Sequence, residues 1–174
     1  EAAAGGWLRG LVSRLKAAGE GVLDVSDTIN GFVGELRNYQ VRGVAWIKFL
    51  TDNGFGALLA DDMGLGKTLQ LLCFIGEYLE NTPNKKPVLV VAPVSLLENW
   101  EAEANRFFSR QFPKILSLYG EQLKERKIPK HLISAQLREN HGISNLLIEN
   151  WREGADIVLT TYETMRDLEF SLAR

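Results

Sequence analysis

The 174 residues hold one cysteine, Cys73, and two histidines, His131 and His141. A single thiol cannot form an internal disulfide framework or a cysteine-based zinc site, and neither histidine has a cysteine or carboxylate at metal-ligand spacing. Sparse cysteine suits a reducing, intracellular setting. No apolar run approaches the ~20 residues that span a bilayer, and the first residues lack the charged and apolar blocks of a signal peptide. A soluble protein with no membrane partner is therefore expected. Neither charge dominates: 20 Lys and Arg against 22 Asp and Glu give a net charge of -2. That balance argues against a generally basic nucleic-acid coat protein and leaves room for local patches. Residues 106–138 carry eight basic and two acidic side chains, and residues 139–169 carry two and seven, which read as oppositely charged solvated faces.

What is present is an apolar content of 45%, enough to bury one core in a chain of this length. Trp7, Leu8, Leu11, Val12 and Leu15 fall on one helical stripe, either a brace on the core or a docking helix for a protein partner. Glycines at 19, 21, 31 and 34 then mark a loop. A second helix begins near Leu36, with Val44, Ile47 and Leu50 on its apolar side and Asn53-Gly54 as its stop. Strand-like runs lie at Gly56–Ala60, Val88–Ala92, Ile115–Tyr119 and Asp156–Thr160. Their continuous apolar character predicts strands covered on both faces, as in a parallel sheet. Helices fall between them, at Thr68–Glu80 and after a capping box of Ser95 and Glu98. Residues 134–151 read as helical, interrupted by Gly142, in an insertion outside the sheet. Strands alternating with helices give an open α/β sheet. Trp46, Trp100 and Trp151 read as core aromatics rather than base-stacking platforms.

The run Gly64-Leu65-Gly66-Lys67-Thr68 follows one apolar stretch and opens a helical one. In that context it reads as a nucleotide phosphate cradle. Backbone N–H groups of such a loop converge on phosphate oxygens, and the positive end of the following helix adds to the attraction. Lys67 would reach the β- and γ-phosphates and Thr68 would hold Mg²⁺, with Asp62, Met63, Gly64, Leu65, Gly66 and Leu69 completing the cofactor-binding stretch. ATP and Mg²⁺ are thus the expected ligands, and Lys67 and Thr68 the candidate catalytic pair. Asp61 stands where the common G-x-x-x-x-G-K-[ST] pattern has its first glycine.

Three runs together resemble the first RecA-like lobe of a Swi/Snf-type ATPase, the DNA-translocating branch of superfamily-two helicases: LRNYQVRGVAWI from Leu36, LLADDMGLGKTLQ from Leu58 and VLVVAPVSLLENW from Val88. The runs LSLYG from Leu116 and DIVLTTYE from Asp156 follow in the same order, so the resemblance covers most of the chain from Leu36 onward. It accounts for Asp61, which this family also carries. It implies a P-loop, RecA-like open parallel sheet with helices on both faces, incomplete here, with residues 1–35 as an extension and 36–174 as a partial lobe carrying an insertion near 121–155. By the same resemblance Gln40 reads the adenine base, a role that its paired amide donor and acceptor suit. The alternative is a helix-surface glutamine. Pro93 to Ser95 and Thr160 to Thr161 would touch the phosphate backbone of double-stranded DNA; the alternative is ordinary capping and turn residues.

Hydrolysis by P-loop motors also needs an acidic metal and water-positioning motif, together with arginines that stabilise the transition state. No apolar strand-like run here ends in Asp-Glu; Ile157–Glu163 has Thr160 and Thr161 in that place. The expectation is the ATP-binding portion of a DNA translocase that binds nucleotide without turning it over alone. Two rival readings are a non-catalytic nucleotide- or DNA-binding module and the motor lobe of a restriction or repair helicase.

Overall fold

The computed structural model describes residues 5, 6, 9, 10, 12, 13, 29, 31–83, 85–109, 113–135, 137, 139 and 143–173. They belong to two compact units, Glu1–Thr82 and Pro83–Arg174, and the boundary falls inside the stretch read above as one lobe. Most of the expected N-terminal stripe lies outside the described residues, and so do His141 and Gly142. Of that stripe Val12 is described, and it is 44% exposed.

The first unit is built on two helices, α1 (Asn38–Asp52) and α2 (Lys67–Asn81). Helix α1 starts without a side-chain cap on its first N–H groups; instead the Arg37 N–H donates to Oε1 of Gln40 at 2.9 Å, tying the entry to the first turn. It stops where the sequence indicates: Gly54 takes a left-handed φ of 78°, and the N–H groups of Asn53, Gly54 and Phe55 return to carbonyls of Leu50 and Thr51. The apolar face is Val44, Ala45, Ile47 and Phe49, with Leu50 only half-buried. Helix α2 buries Leu69, Leu72, Cys73, Ile75 and Leu79, and burial pushes the Cys73 thiol up to about 12, which leaves it a packing group rather than a nucleophile. The two helices are joined by Lys48 and Glu77, 3.0 Å apart, the carboxylate side chain being 6% exposed.

The run 56–60 is not the covered strand expected of it. It pairs with no strand among the described residues, and Leu58 is 82% exposed. An apolar run becomes a strand only when a neighbour accepts and donates its ladder hydrogen bonds, and no described strand does so here.

The second unit holds a parallel three-stranded sheet in the order β1-β3-β2, with β1 at Val88–Val91, β2 at Ile115–Ser117 and β3 at Ile157–Thr160. Parallel neighbours require crossovers, and helix α3 (Val94–Phe107) supplies the first of them. Central β3 is buried at all four residues, as its continuous apolar run implies; edge strand β1 is not, and Leu89 is 41% exposed. Each buried Ile, Val or Leu of β3 contributes roughly 1.5–3 kcal/mol. One side of the sheet is covered by Leu118, Leu147, Trp151, Ala155 and Leu168, which pack with Leu116 and Val158.

Two local readings are corrected. Ser95 does not cap α3: Pro93 is the N-cap residue, no side-chain cap bond is made, and the Leu96 N–H returns to the Pro93 carbonyl, so Ser95 lies within the first turn. Proline cannot donate a backbone hydrogen bond, so it loses nothing at a helix entrance, and here that entrance lies two residues before the position a Ser95 cap would set. Residues 143–151 are not helical. Lys127 and Leu147 form an antiparallel bridge, Ile128 donates to Leu146 and Ile148 donates to Arg126. The Arg126 guanidinium, on the short helix α4 (Gly120–Arg126), also holds the Trp151 carbonyl at 3.2 Å and Glu153 at 3.1 Å. These long-range bonds satisfy backbone groups that a helix would have paired locally, and they turn Leu147 and Trp151 onto the sheet.

Removing Lys48 leaves a buried carboxylate with no counter-ion, whereas replacing both partners removes the charge problem. Thermal unfolding should show Lys48→Ala destabilised by roughly 1–3 kcal/mol, with Lys48→Met/Glu77→Met recovering most of that loss. Equal stability for Lys48→Ala and the unmutated chain would show that the pair does not join the helices.

Candidate nucleotide site and strand-end turns

In the first unit, residues 61–66 curl back before α2 through two left-handed glycines, Gly64 at φ 85° and then Gly66, the helix N-cap, at φ 73° and ψ 41°. Two things demand glycine there. An L-residue in this left-handed region pays about 1–2 kcal/mol, and a Cβ would lie 2.6 Å from Nε2 of Gln40. The first intrahelical bond of α2 runs from the Gln70 N–H to the Gly66 carbonyl, at 3.0 Å. The N–H groups of Lys67, Thr68 and Leu69 precede it and have no partner within the helix, so the loop ends in a set of donors with the positive end of the helix behind them. That is the arrangement an oxyanion needs.

The lysine is already folded over the loop. Its Nζ donates to the carbonyls of Asp61 at 2.7 Å and Asp62 at 2.8 Å. Thr68 is half-buried beside it, Asp62, Met63 and Gly64 are exposed, and Met63 is 96% exposed. Leu69 is different: its side chain is buried in the helix pair, leaving only its backbone to meet a ligand. Gln40 is not a surface residue, being 7% exposed. Its Nε2 donates to the Leu65 carbonyl at 3.3 Å while its Oε1 accepts from Arg37. The structure therefore brings Gln40, Asp61, Leu65, Gly66 and Lys67 together. It also brings in a residue the sequence reading missed: Gln70, fully buried, with its Nε2 3.2 Å from Asp61 Oδ2. The available signal was a polar residue set in the apolar stripe of α2.

Among the described residues no three His, Cys, Asp or Glu side chains cluster as a metal site. A magnesium ion here would be held by the Thr68 hydroxyl, phosphate oxygens and water, which fits an ion that keeps much of its hydration.

In the second unit, the turns singled out for DNA contact emerge at one end of the sheet. Val91 pairs with Thr160 in parallel register and the Ala92 N–H donates to the Thr160 carbonyl at 3.1 Å, so Pro93 to Ser95 and Thr161 leave from adjacent strand ends. Carboxyl ends of parallel strands are where open α/β sheets place ligands. Pro93 and Ser95 are exposed. Thr160 is not: it is 0% exposed and its hydroxyl donates to the Leu118 carbonyl at 3.0 Å, so its side chain fixes β2 to β3 instead of facing solvent. Thr161 caps the short helix α5 (Tyr162–Asp167), its Oγ1 accepting the Thr164 N–H at 3.2 Å. Beside it, the Glu163 backbone N–H and then the Thr161 hydroxyl hold the Glu163 carboxyl below the usual carboxylate range. This helix start is thus partly occupied by the chain's own anion.

Gly66→Ala should lower stability by about 1–2 kcal/mol through left-handed strain and should speed amide exchange across 64–68, because the new Cβ displaces Gln40. Gly54→Ala is the control: φ is also left-handed, at 78°, but nothing lies within 4 Å. It should carry the strain without loosening the loop. Identical exchange of the loop in both variants would show that Gln40 does not hold it.

Comparison with known proteins agrees with this geometry. The SNF2-related domain model matches residues 39–173. Zorya protein ZorD of Escherichia coli is 52% identical over 143 residues, 80% of this chain and 13% of that protein. The ISWI chromatin-remodeling complex ATPase ISW1 of Saccharomyces cerevisiae is 50% identical over 76 residues, 42% of this chain and 7% of that protein. The chain thus spans a small part of the length of the relatives it matches. Among solved structures, the Sulfolobus solfataricus SWI2/SNF2 ATPase core in complex with dsDNA superposes with a TM-score of 0.57 at 30% identity, over 79% of this chain and 24% of that one. Parallel sheet, phosphate-type loop and matched motifs converge on one conclusion: the chain belongs to the SNF2-related domain family.

Proposed function

We propose that this chain is the ATP-binding portion of an ATP-dependent DNA translocase. The observation that carries the reading is the loop at 64–68: left-handed at Gly66, opening α2 with N–H donors that have no partner in the helix, and carrying Lys67 folded back onto the carbonyls of Asp61 and Asp62. ATP enters with its phosphates over Gly64 to Thr68, and Lys67 exchanges the carbonyls of Asp61 and Asp62 for the β- and γ-phosphates. An anion is the better partner, since a charge-assisted bond is about twice as strong as a neutral one. Thr68 holds Mg²⁺, whose chemistry is to neutralise charge on the phosphates. The backbone of Asp62 to Leu69 lines the phosphates, and Gln40 offers the adenine edge the second N–H and second lone pair of an amide that stays bonded to Leu65 and Arg37.

Double-stranded DNA lies against the strand ends at Pro93, Ser95 and Thr161, contacted through phosphates and so without sequence preference. Thr160 serves by positioning Thr161. A match to a SWI2/SNF2 core solved with dsDNA supports this part. Binding without turnover is the expected behaviour of the 174 residues alone, because none of β1, β2 or β3 ends in Asp-Glu to position water.

Titration with Mg-ATP should give saturable binding that weakens by at least about tenfold in Lys67→Ala. GTP should bind more weakly than ATP, and phosphate release should stay at the Lys67→Ala background. Equal affinity of Lys67→Ala and unmutated chain would remove the loop from the site. For DNA, the logarithm of affinity should fall linearly with the logarithm of salt, as counterion release requires. A sequence preference that survives high salt would contradict the strand-end assignment.

A further inference from the structure

Gln70 occupies an unfavourable place for a polar side chain. It is 0% exposed within the apolar stripe of α2, its Oε1 has no hydrogen-bond partner, and a Cβ on Gly43 of α1 would lie 1.8 Å from that oxygen. The amide is therefore accommodated by a glycine on the facing helix and still leaves an acceptor unpaired, at a cost that a leucine or methionine in the same volume would avoid. Its other end explains what it does. Nε2 points at the Asp61 carboxylate, 3.2 Å to Oδ2, and at the Leu65 carbonyl, 3.4 Å away.

Asp61 is the residue that replaces the first glycine of the common phosphate-loop pattern. A carboxylate at the root of a loop that receives phosphate is a like charge near the ligand, and its side chain needs a direction in which to point. The Lys67 amine does not neutralise it directly, since Nζ takes the backbone oxygens of Asp61 and Asp62. The buried amide of Gln70 offers the carboxylate a donor on the helix side.

We propose that Gln70 is a positioning residue of the nucleotide site: it draws the Asp61 carboxylate toward α2 and fixes the Leu65 carbonyl, which allows an aspartate to stand in the glycine's place. The inference rests on the reading of 64–68 as the nucleotide loop. Because the Leu65 carbonyl keeps Gln40 as a donor at 3.3 Å when Gln70 is changed, the larger part of Gln70's contribution depends on Asp61, and a role in packing alone does not have that property.

The test is a double-mutant cycle of the unmutated chain, Gln70→Met, Asp61→Gly and the pair, titrated with Mg-ADP carrying a fluorescent ribose label. Methionine keeps the volume and removes the donor. Gln70→Met should weaken binding on the order of tenfold, and in the Asp61→Gly background the same change should cost less than about twofold. An equal loss in both backgrounds, or none in either, overturns the proposal. Amide exchange of the nucleotide-free chain gives a second readout: Gln70→Met, and likewise Gly43→Ala, should speed exchange at 65–68 and leave β3 unchanged. Unaltered exchange at 65–68 overturns it as well. Failure of the unmutated chain to bind the labelled nucleotide would instead refute the nucleotide reading, and the exchange experiment would still decide whether Gln70 holds the loop.

Discussion

The Leu65 carbonyl receives an amide from each of the two helices that flank it in space, Gln40 of α1 at 3.3 Å and Gln70 of α2 at 3.4 Å. The turn into α2 depends on that convergence. With the carbonyl held, Gly66 completes the reversal in a left-handed conformation and α2 begins with its first N–H groups directed away from the helix body. The packing of α1 on α2, fastened by Lys48 and Glu77, keeps both glutamines in place. A purely apolar helix pair would be simpler to stabilise, but it would leave the loop without partners on its inner side.

The two units solve related problems with different means. In the first, the donors are concentrated: the first backbone N–H groups of α2 and one lysine lie within a single loop. In the second, the candidate contact groups are dispersed over strand ends, where a proline-led helix entrance and a threonine-capped turn leave from paired strands. Concentrated donors suit a small ligand whose position matters; dispersed ones suit a polymer read by its regular charge. Glu163, its carboxyl held below the ordinary range at the start of α5, tempers the second surface, since it presents a negative charge beside Thr161.

The loop glycines, the lysine, the helix stop at Asn53-Gly54 and three of the four strand runs were legible because each depends on local chemistry: φ preferences, capping and apolar continuity. Residues 56–60 misled because continuity records burial potential and says nothing about whether a strand stands alongside. The stretch 143–151 misled for a similar reason. Its helical spacing was real, but Arg126 and Lys127, distant in sequence, captured its backbone in another arrangement. A polar residue in an apolar stripe flags Gln70, but what it holds, like the burial of Thr160, was beyond local reading, since each is defined by partners in other elements, Asp61 and Leu65 for one and Leu118 for the other. Gln40 lay between these cases: the resemblance singled it out, and only the fold revealed that its amide is engaged with the loop itself.

The proposed function turns on where the phosphates of a nucleotide would sit, and NMR mapping of the chain titrated with nucleotide reads that directly. On adding Mg-ADP, the backbone amides of Gly64 to Leu69 and the side-chain amide of Gln40 should show the largest shifts, with the Gly66, Lys67 and Thr68 amides moving furthest as they donate to phosphate oxygens. Shifts confined to other elements, with these amides unmoved at saturation, would contradict the account.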